Sequence, residues 1–329
     1  MRNSAIAVSG LRKAFGDKTV LDGIDLDVPA GTVFSLLGPN GAGKTTTVNV
    51  LTTLMTADAG TIRVAGHDVA TETKAVRAVV GVTGQFAAVD ELLTGQENLQ
   101  LMADLKRMSS GEGKRAVTGL LERFDLTEAA HKLVSAYSGG MRRKLDLAMT
   151  LVGSPQIIFL DEPTTGLDPR SRHTMWNIVR ELVADGVTVF LTTQNLEEAD
   201  RLADRIAVLD QGHLVAQGTP GELKRQVPGS HVLLRFASAG DLDAAARVLD
   251  GSTRDDEDLT LRVPSDGGLK SLRALLARLD EHLIDPEDFS VHTPDLDDVF
   301  LALTGHPNTG HPNTGHPNTG HAHTEVNAR

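Results

Sequence analysis

The sequence predicts an α/β protein with a mixed, mainly parallel sheet, followed by a small α+β domain. Short strand-type runs alternate with longer helical patterns as far as about residue 225, the pattern of βαβ units. The loop GPNGAGKT sits between one such run and one such helix. A break at GTPGELKRQVPGS, where Pro220, Pro228 and Gly229 interrupt any periodicity, separates the two parts.

The elements follow in order. The runs at 19–28 and 61–69 alternate in polarity and are expected to form an antiparallel portion at one side. Val33–Leu37, Gln156–Leu160, Val187–Thr192 and Arg205–Leu209 are near-continuous apolar runs, as in strands covered on both faces. TTVNVLTTL reads as the helix after the glycine loop, and VVGVTG as a strand that delivers Gln85. After Ser138-Gly139-Gly140 an amphipathic helix begins, with Leu145, Met149 and Val152 on one face. Beyond the break, HVLLRFA, LTLRVP and FSVHTP read as strands. DLDAAARVLD, GLKSLRALLARLDEHL and DVFLALTG read as helices. The expected division is 1–225, 230–304 and a tail at 305–329. In that tail GHPNT repeats three times, a composition that supplies no core and predicts disorder. Its His306, His311, His316, His321 and His323 offer loose ligands for a transition metal.

Composition narrows the function classes. Acidic residues outnumber basic ones 44 to 32, a formal charge of -12 that repels a phosphate backbone and argues against general nucleic-acid binding. The absence of cysteine removes disulfides, thiol nucleophiles and thiolate zinc sites. No apolar run approaches the roughly 20 residues of a spanning helix, so membrane contact is expected only through a partner. MRNSAIAVSG has no apolar core of secretory-signal length.

Three stretches carry chemistry. Gly38, Pro39, Asn40, Gly41, Ala42, Gly43, Lys44 and Thr45, followed by Thr46, match G-x-x-x-x-G-K-[ST] in full, between strand and helix. Glycines let such a loop curl its N–H groups around phosphate oxygens, and the helix N-terminus adds positive potential. Lys44 is placed to neutralise the β- and γ-phosphates of ATP, and the Thr45 hydroxyl to ligate Mg²⁺. QIIFLDEP ends a buried strand in Asp161, a Mg²⁺ ligand, and Glu162, a base for the attacking water. Ser138, Gly139 and Gly140 make a second anion site at a helix N-terminus, which makes sense if it meets ATP held by another copy.

Taken in order, residues 5–225 resemble the ATP-binding cassette of ABC transporters, a P-loop fold with antiparallel and helical subdomains. YSGGM is similar to the family signature, with Tyr137 where leucine is usual. The resemblance implies that Phe15 stacks on adenine, the alternative being a core phenylalanine. It implies that Gln85 is the lid glutamine that senses Mg²⁺ and the membrane partner. Asp168, in TTGLDP, then crosses a head-to-tail homodimer interface that sandwiches two ATPs. LTTQ at 191–194 and PDLDDVFLALTG resemble the daunorubicin/doxorubicin-resistance type of subunit. Such subunits sit at the cytoplasmic face of the cell membrane, pair with an integral membrane permease and export hydrophobic drugs.

Gln194 stands where most cassettes have a histidine that contacts the γ-phosphate and the attacking water. Glutamine offers a neutral donor and an acceptor but no proton to exchange. With Glu162 present as base, a positioning role is expected; the plainer alternative is that Gln194 caps the following helix. Competing functions are an importer motor, a soluble cassette ATPase acting on ribosomes or DNA, and an ATP-binding regulator with weak hydrolysis.

Overall fold

The computed structural model describes residues 4–85, 87–227, 230–266, 268–292 and 294–305. The GHPNT repeats beyond Gly305 and the five tail histidines lie outside them.

Six strands form the central sheet, in the order β10 (His213–Gly218), β9 (Arg205–Asp210), β3 (Val33–Leu37), β8 (Thr188–Thr193), β7 (Ile157–Asp161), β6 (Val80–Thr83). The pairs from β9 to β6 are parallel, and β10 runs antiparallel at the edge. Every residue of β3, β7 and β8 is buried, as their unbroken apolar runs require. Alternate residues serve different cores. Phe34, Phe159 and Phe190 point to one face, with Phe190 5.5 Å and 5.4 Å from the other two ring centroids. Ile158, Leu160, Val189 and Leu191 point to the other.

The first face is covered by a four-stranded antiparallel sheet, β2 (Lys18–Pro29), β1 (Ser4–Phe15), β4 (Ala59–Val64) and β5 (His67–Asp68), and by α1 (Lys44–Leu51) and α2 (Thr73–Val79). β1 is a strand that the alternating runs do not include. On the second face lie α3 (Gly95–Leu105), α4 (Ser110–Arg123), α5 (Gly139–Leu151) and α6 (Pro169–Ala184). Capping boxes start α3 at Thr94 with Glu97 and α4 at Ser109 with Glu112.

The break after β10 is not all loop. α8 (Pro220–Gln226) begins where Pro220 was expected to interrupt, because a proline lacks only an N–H that the first helical turn leaves unpaired anyway. Thr219 caps it with Glu222 as the reciprocal partner.

A third sheet follows, ordered β12 (Thr253–Asp255), β13 (Thr260–Pro264), β11 (His231–Arg235), β14 (Asp288–His292). With α9 (Ala239–Val248) and α10 (Leu269–Glu281) it encloses a separate core around Val232, Leu234, Phe236 and Leu261. The last helix, α11 (Leu296–Thr304), does not join that core. Its Leu296, Val299 and Phe300, each at most 3% exposed, pack with Leu196 and Ala199 of α7 (Leu196–Leu202) and Leu223 of α8. Among the described residues no helix is long and apolar enough to cross a membrane.

Candidate functional site

Strand order places the candidate residues in a row. β3, β8, β7 and β6 are neighbours and parallel, so their C-terminal ends share one sheet edge. From them emerge, in turn, the glycine loop, Gln194, the Asp161–Glu162 pair and Gln85. At ~4.8 Å between strands the row spans about 14 Å, the scale of a nucleotide triphosphate and its surroundings. Open α/β sheets bind ligands at this edge.

The loop is built around absent side chains. A Cβ at Gly38 would lie 2.2 Å from the Leu209 carbonyl oxygen, and one at Gly43 would lie 2.6 Å from Leu21 of β2. Gly43 also holds φ at 112°, where other residues rarely go. Ala42, Gly43 and Lys44 are buried, whereas Asn40, Gly41 and Thr45 face outward and Pro39 and Thr46 are half-buried.

Lys44 is 5% exposed, its ammonium donating to the Gly38 and Pro39 carbonyls at 2.8 and 3.1 Å. Glu162 Oε1 stands 3.3 Å from the same nitrogen. Burial pulls the Lys44 pKa below the usual lysine value, and the charges of Glu162 and Asp161 act against that fall. Thr45 Oγ1 donates to Asp161 Oδ2 at 2.9 Å, and the Thr192 hydroxyl donates to Asp161 Oδ1. A hydroxyl beside a carboxylate is a hard oxygen set of the kind that suits Mg²⁺.

Glu162 occupies the left-handed region, φ 48°, which for a side-chain-bearing residue costs about 1–3 kcal/mol. Its amide reaches Thr192 O at 3.1 Å, and its Oε2 accepts from Thr165 Oγ1 at 3.1 Å. The turn thus aims a carboxylate back at Lys44.

Gln194 is half-buried between β8 and α7. The N-cap of α7 is Asn195, its side chain accepting from the Glu198 amide at 3.3 Å. Gln85 is exposed just past β6. Phe15 is 48% exposed at the tip of the β1–β2 hairpin, with the Lys13 ammonium 5.6 Å from its ring centroid, so it is not a core phenylalanine.

Ser138 caps α5, accepting from Met141 N at 3.3 Å, and Ser138 and Gly139 are exposed. The departure at Tyr137 is accommodated: its hydroxyl donates to the Ala129 carbonyl at 2.7 Å, and Gly95 leaves the room. Asp168 caps α6, accepting from the Ser171 hydroxyl at 2.6 Å and amide at 3.0 Å, bonds that hold its pKa below the usual carboxylate range. Ser171 lies against Gly140, where a Cβ would meet its hydroxyl at 2.7 Å.

The sequence reading gives no individual role to four buried groups. Thr192 bridges Asp161 and Glu162. Glu198 accepts from the Thr164 hydroxyl at 2.8 Å and from Trp176 Nε1 at 3.1 Å, and burial pushes its pKa up. Arg143 and Asp146 pair inside α5 at 3.2 Å. A polar pair at i, i+3 beside the apolar stripe was the one available signal for the last two.

A family model described as ABC transporter matches residues 21–165. The chain is 50% identical to the daunorubicin resistance ATP-binding protein DrrA3 of Streptomyces coeruleorubidus, over 93% of this chain and 97% of that protein. It is likewise 50% identical to the daunorubicin/doxorubicin resistance ATP-binding protein DrrA of Streptomyces peucetius, over 92% and 93%. Among solved structures, an ATP-binding subunit of an ABC transporter aligns with a TM-score of 0.62 and 29% identity, covering 68% of this chain and 93% of that one.

Proposed function

Because the chain belongs to the ABC transporter family, as one of its ATP-binding subunits, we propose that it drives export of hydrophobic, anthracycline-like antibiotics through a separate membrane permease. The observation that carries this reading is the 50% identity to a daunorubicin resistance protein across 93% of the chain. Residues 1–225 then form the motor and 230–304 an assembly or regulatory module.

ATP is bound and hydrolysed. On this reading Lys44 exchanges its loop carbonyls for the β- and γ-phosphate oxygens, which the short reach from Gly38 and Pro39 supports. Glu162 takes the proton of the water whose oxygen bonds to the γ-phosphorus, while the bond to the bridging oxygen breaks and ADP leaves. Gln194 orients that water as donor and acceptor. Thr45 and Asp161 would hold Mg²⁺, which supplies charge neutralisation when bound.

Two copies close head to tail over two ATPs. Ser138, Gly139 and Gly140 of one copy face the phosphates held by the other, and Asp168 crosses between them; the exposed start of α5 supports this role. ATP favours the closed state because its phosphates touch both copies only there. Gln85 relays closure to the permease at the cytoplasmic face of the membrane. Ser138→Arg is expected to abolish ATP-dependent dimers in size-exclusion chromatography while ATP binding persists.

The direct test is ATP hydrolysis by this chain, co-reconstituted in vesicles with its permease, with and without daunorubicin. Drug-stimulated turnover and drug accumulation on the side away from the motor are the expected results. Turnover indifferent to the drug would remove the cargo from the proposal. No turnover with ATP still bound would remove the motor.

A further inference from the structure

Arg143 and Asp146 are 7% and 3% exposed on α5. Between them they grip three separate pieces of chain. Arg143 Nη1 donates to the Gly84 carbonyl at 2.8 Å, the residue before Gln85. Asp146 Oδ1 accepts from the Ala88 amide at 3.0 Å, three residues beyond Gln85. Arg143 Nε and Nη2 donate to the Pro163 and Asp161 carbonyls at 3.0 and 3.2 Å, the residues on either side of Glu162. The ion pair at 3.2 Å joins the two grips.

A buried ion pair is a poor device for stability alone, since apolar residues of similar volume are often as good or better. This pair is spent on backbone groups, carbonyls for Arg143 and an amide for Asp146. By fixing the chain before and after Glu162, Arg143 holds the left-handed turn, φ 48°, that aims the carboxylate. The same guanidinium fixes Gly84. Planar and five-donor, it can serve carbonyls in several directions at once.

We propose that Arg143 and Asp146 are positioning residues for ATP hydrolysis, a clasp that sets Gln85 and Glu162 in register with each other from the signature helix. The inference rests on the motor reading above. It makes α5 the mechanical link between the side facing the permease and the base.

The test uses the full chain with its permease in vesicles and the double variant Arg143→Met/Asp146→Leu, which keeps the volume apolar. A folded variant with ATP KM within about threefold of the parent and kcat lowered about 10²-fold is expected, the scale of a misplaced catalytic group. Parental kcat in the folded double variant would overturn the clasp, because a merely structural pair is replaceable by apolar packing. If the double variant does not fold, Arg143→Lys decides: one ammonium cannot span these carbonyls, so kcat should fall at least about tenfold at unchanged KM. Parental kcat there would again overturn it. Amide exchange at Ala88, measured without ATP, should speed up in Asp146→Leu, and unchanged protection also overturns the clasp. A parent chain without turnover counts against the motor reading, not against this exchange result.

Discussion

The sheet edge that holds the candidate site and the β11–β14 module solve burial in opposite ways. Around the site, Lys44, Arg143, Asp146, Asp161, Glu162 and Glu198 are all buried, each 8% exposed or less. In the module, Thr260 is the one buried polar residue among those described. Its charged groups stay outside, as in the Arg254 pairs with Asp243 and Asp256. Removing charge from water is costly, so a fold keeps it inside only where every group is partnered or where chemistry needs it. The module is held by apolar packing; the site is held in spite of its charges.

The largest effect should come from Glu162→Gln, which keeps the shape and removes the proposed base. Hydrolysis should fall by about 10²–10⁴-fold with ATP still bound. Near-parental turnover in the purified variant would reassign the base. Next comes Phe300→Ala in α11. This ring is 2% exposed, and its loss should cost about 3–5 kcal/mol in denaturant unfolding. A cost below ~1 kcal/mol would mean that α11 does not complete the α7–α8 core in solution.

Glu198→Gln probes a charge that the fold avoids. Burial raises the Glu198 pKa against the opposing hydrogen bonds from Thr193, Thr164 and Trp176. The raised folded value means that its stabilising contribution is full below the ordinary glutamate range and is lost as pH rises through the folded pKa. The amide should therefore be within about 1 kcal/mol of the parent at low pH and flatten the loss toward alkaline pH. Urea titrations at several pH values check the slope, and an identical slope would show that Glu198 is not the group responsible. Smallest of all is Arg254→Ala in the module, where an exposed ion pair should leave the melting temperature unchanged.

Much of this contrast was legible beforehand, and the illegible part has a common cause. The glycine loop, Asp161 and Glu162 stand next to strand ends that apolar runs reveal. The helix starts at Gly139 and Lys44 follow from local capping and glycine signals. Pro220 misled because a proline marks a helix start as readily as an interruption. Arg143 and Asp146 were illegible as a pair with a purpose, since their partners Gly84 and Ala88 lie 59 and 58 residues away.

What depends on neighbours along the chain could be read directly: periodicity, the glycine loop, the acidic pair, the Ser138–Gly140 helix start and the glutamine at 194. Those features are set by backbone geometry over a few residues, and glycine, proline and polarity encode them directly. Tertiary structure alone decided which strand ends stand side by side, that Asn195 caps α7, that Arg143 pins the chain around Glu162, and that α11 leaves its own module for α7 and α8. These outcomes turn on which distant surfaces exclude water together, a contest among whole elements that no local pattern records.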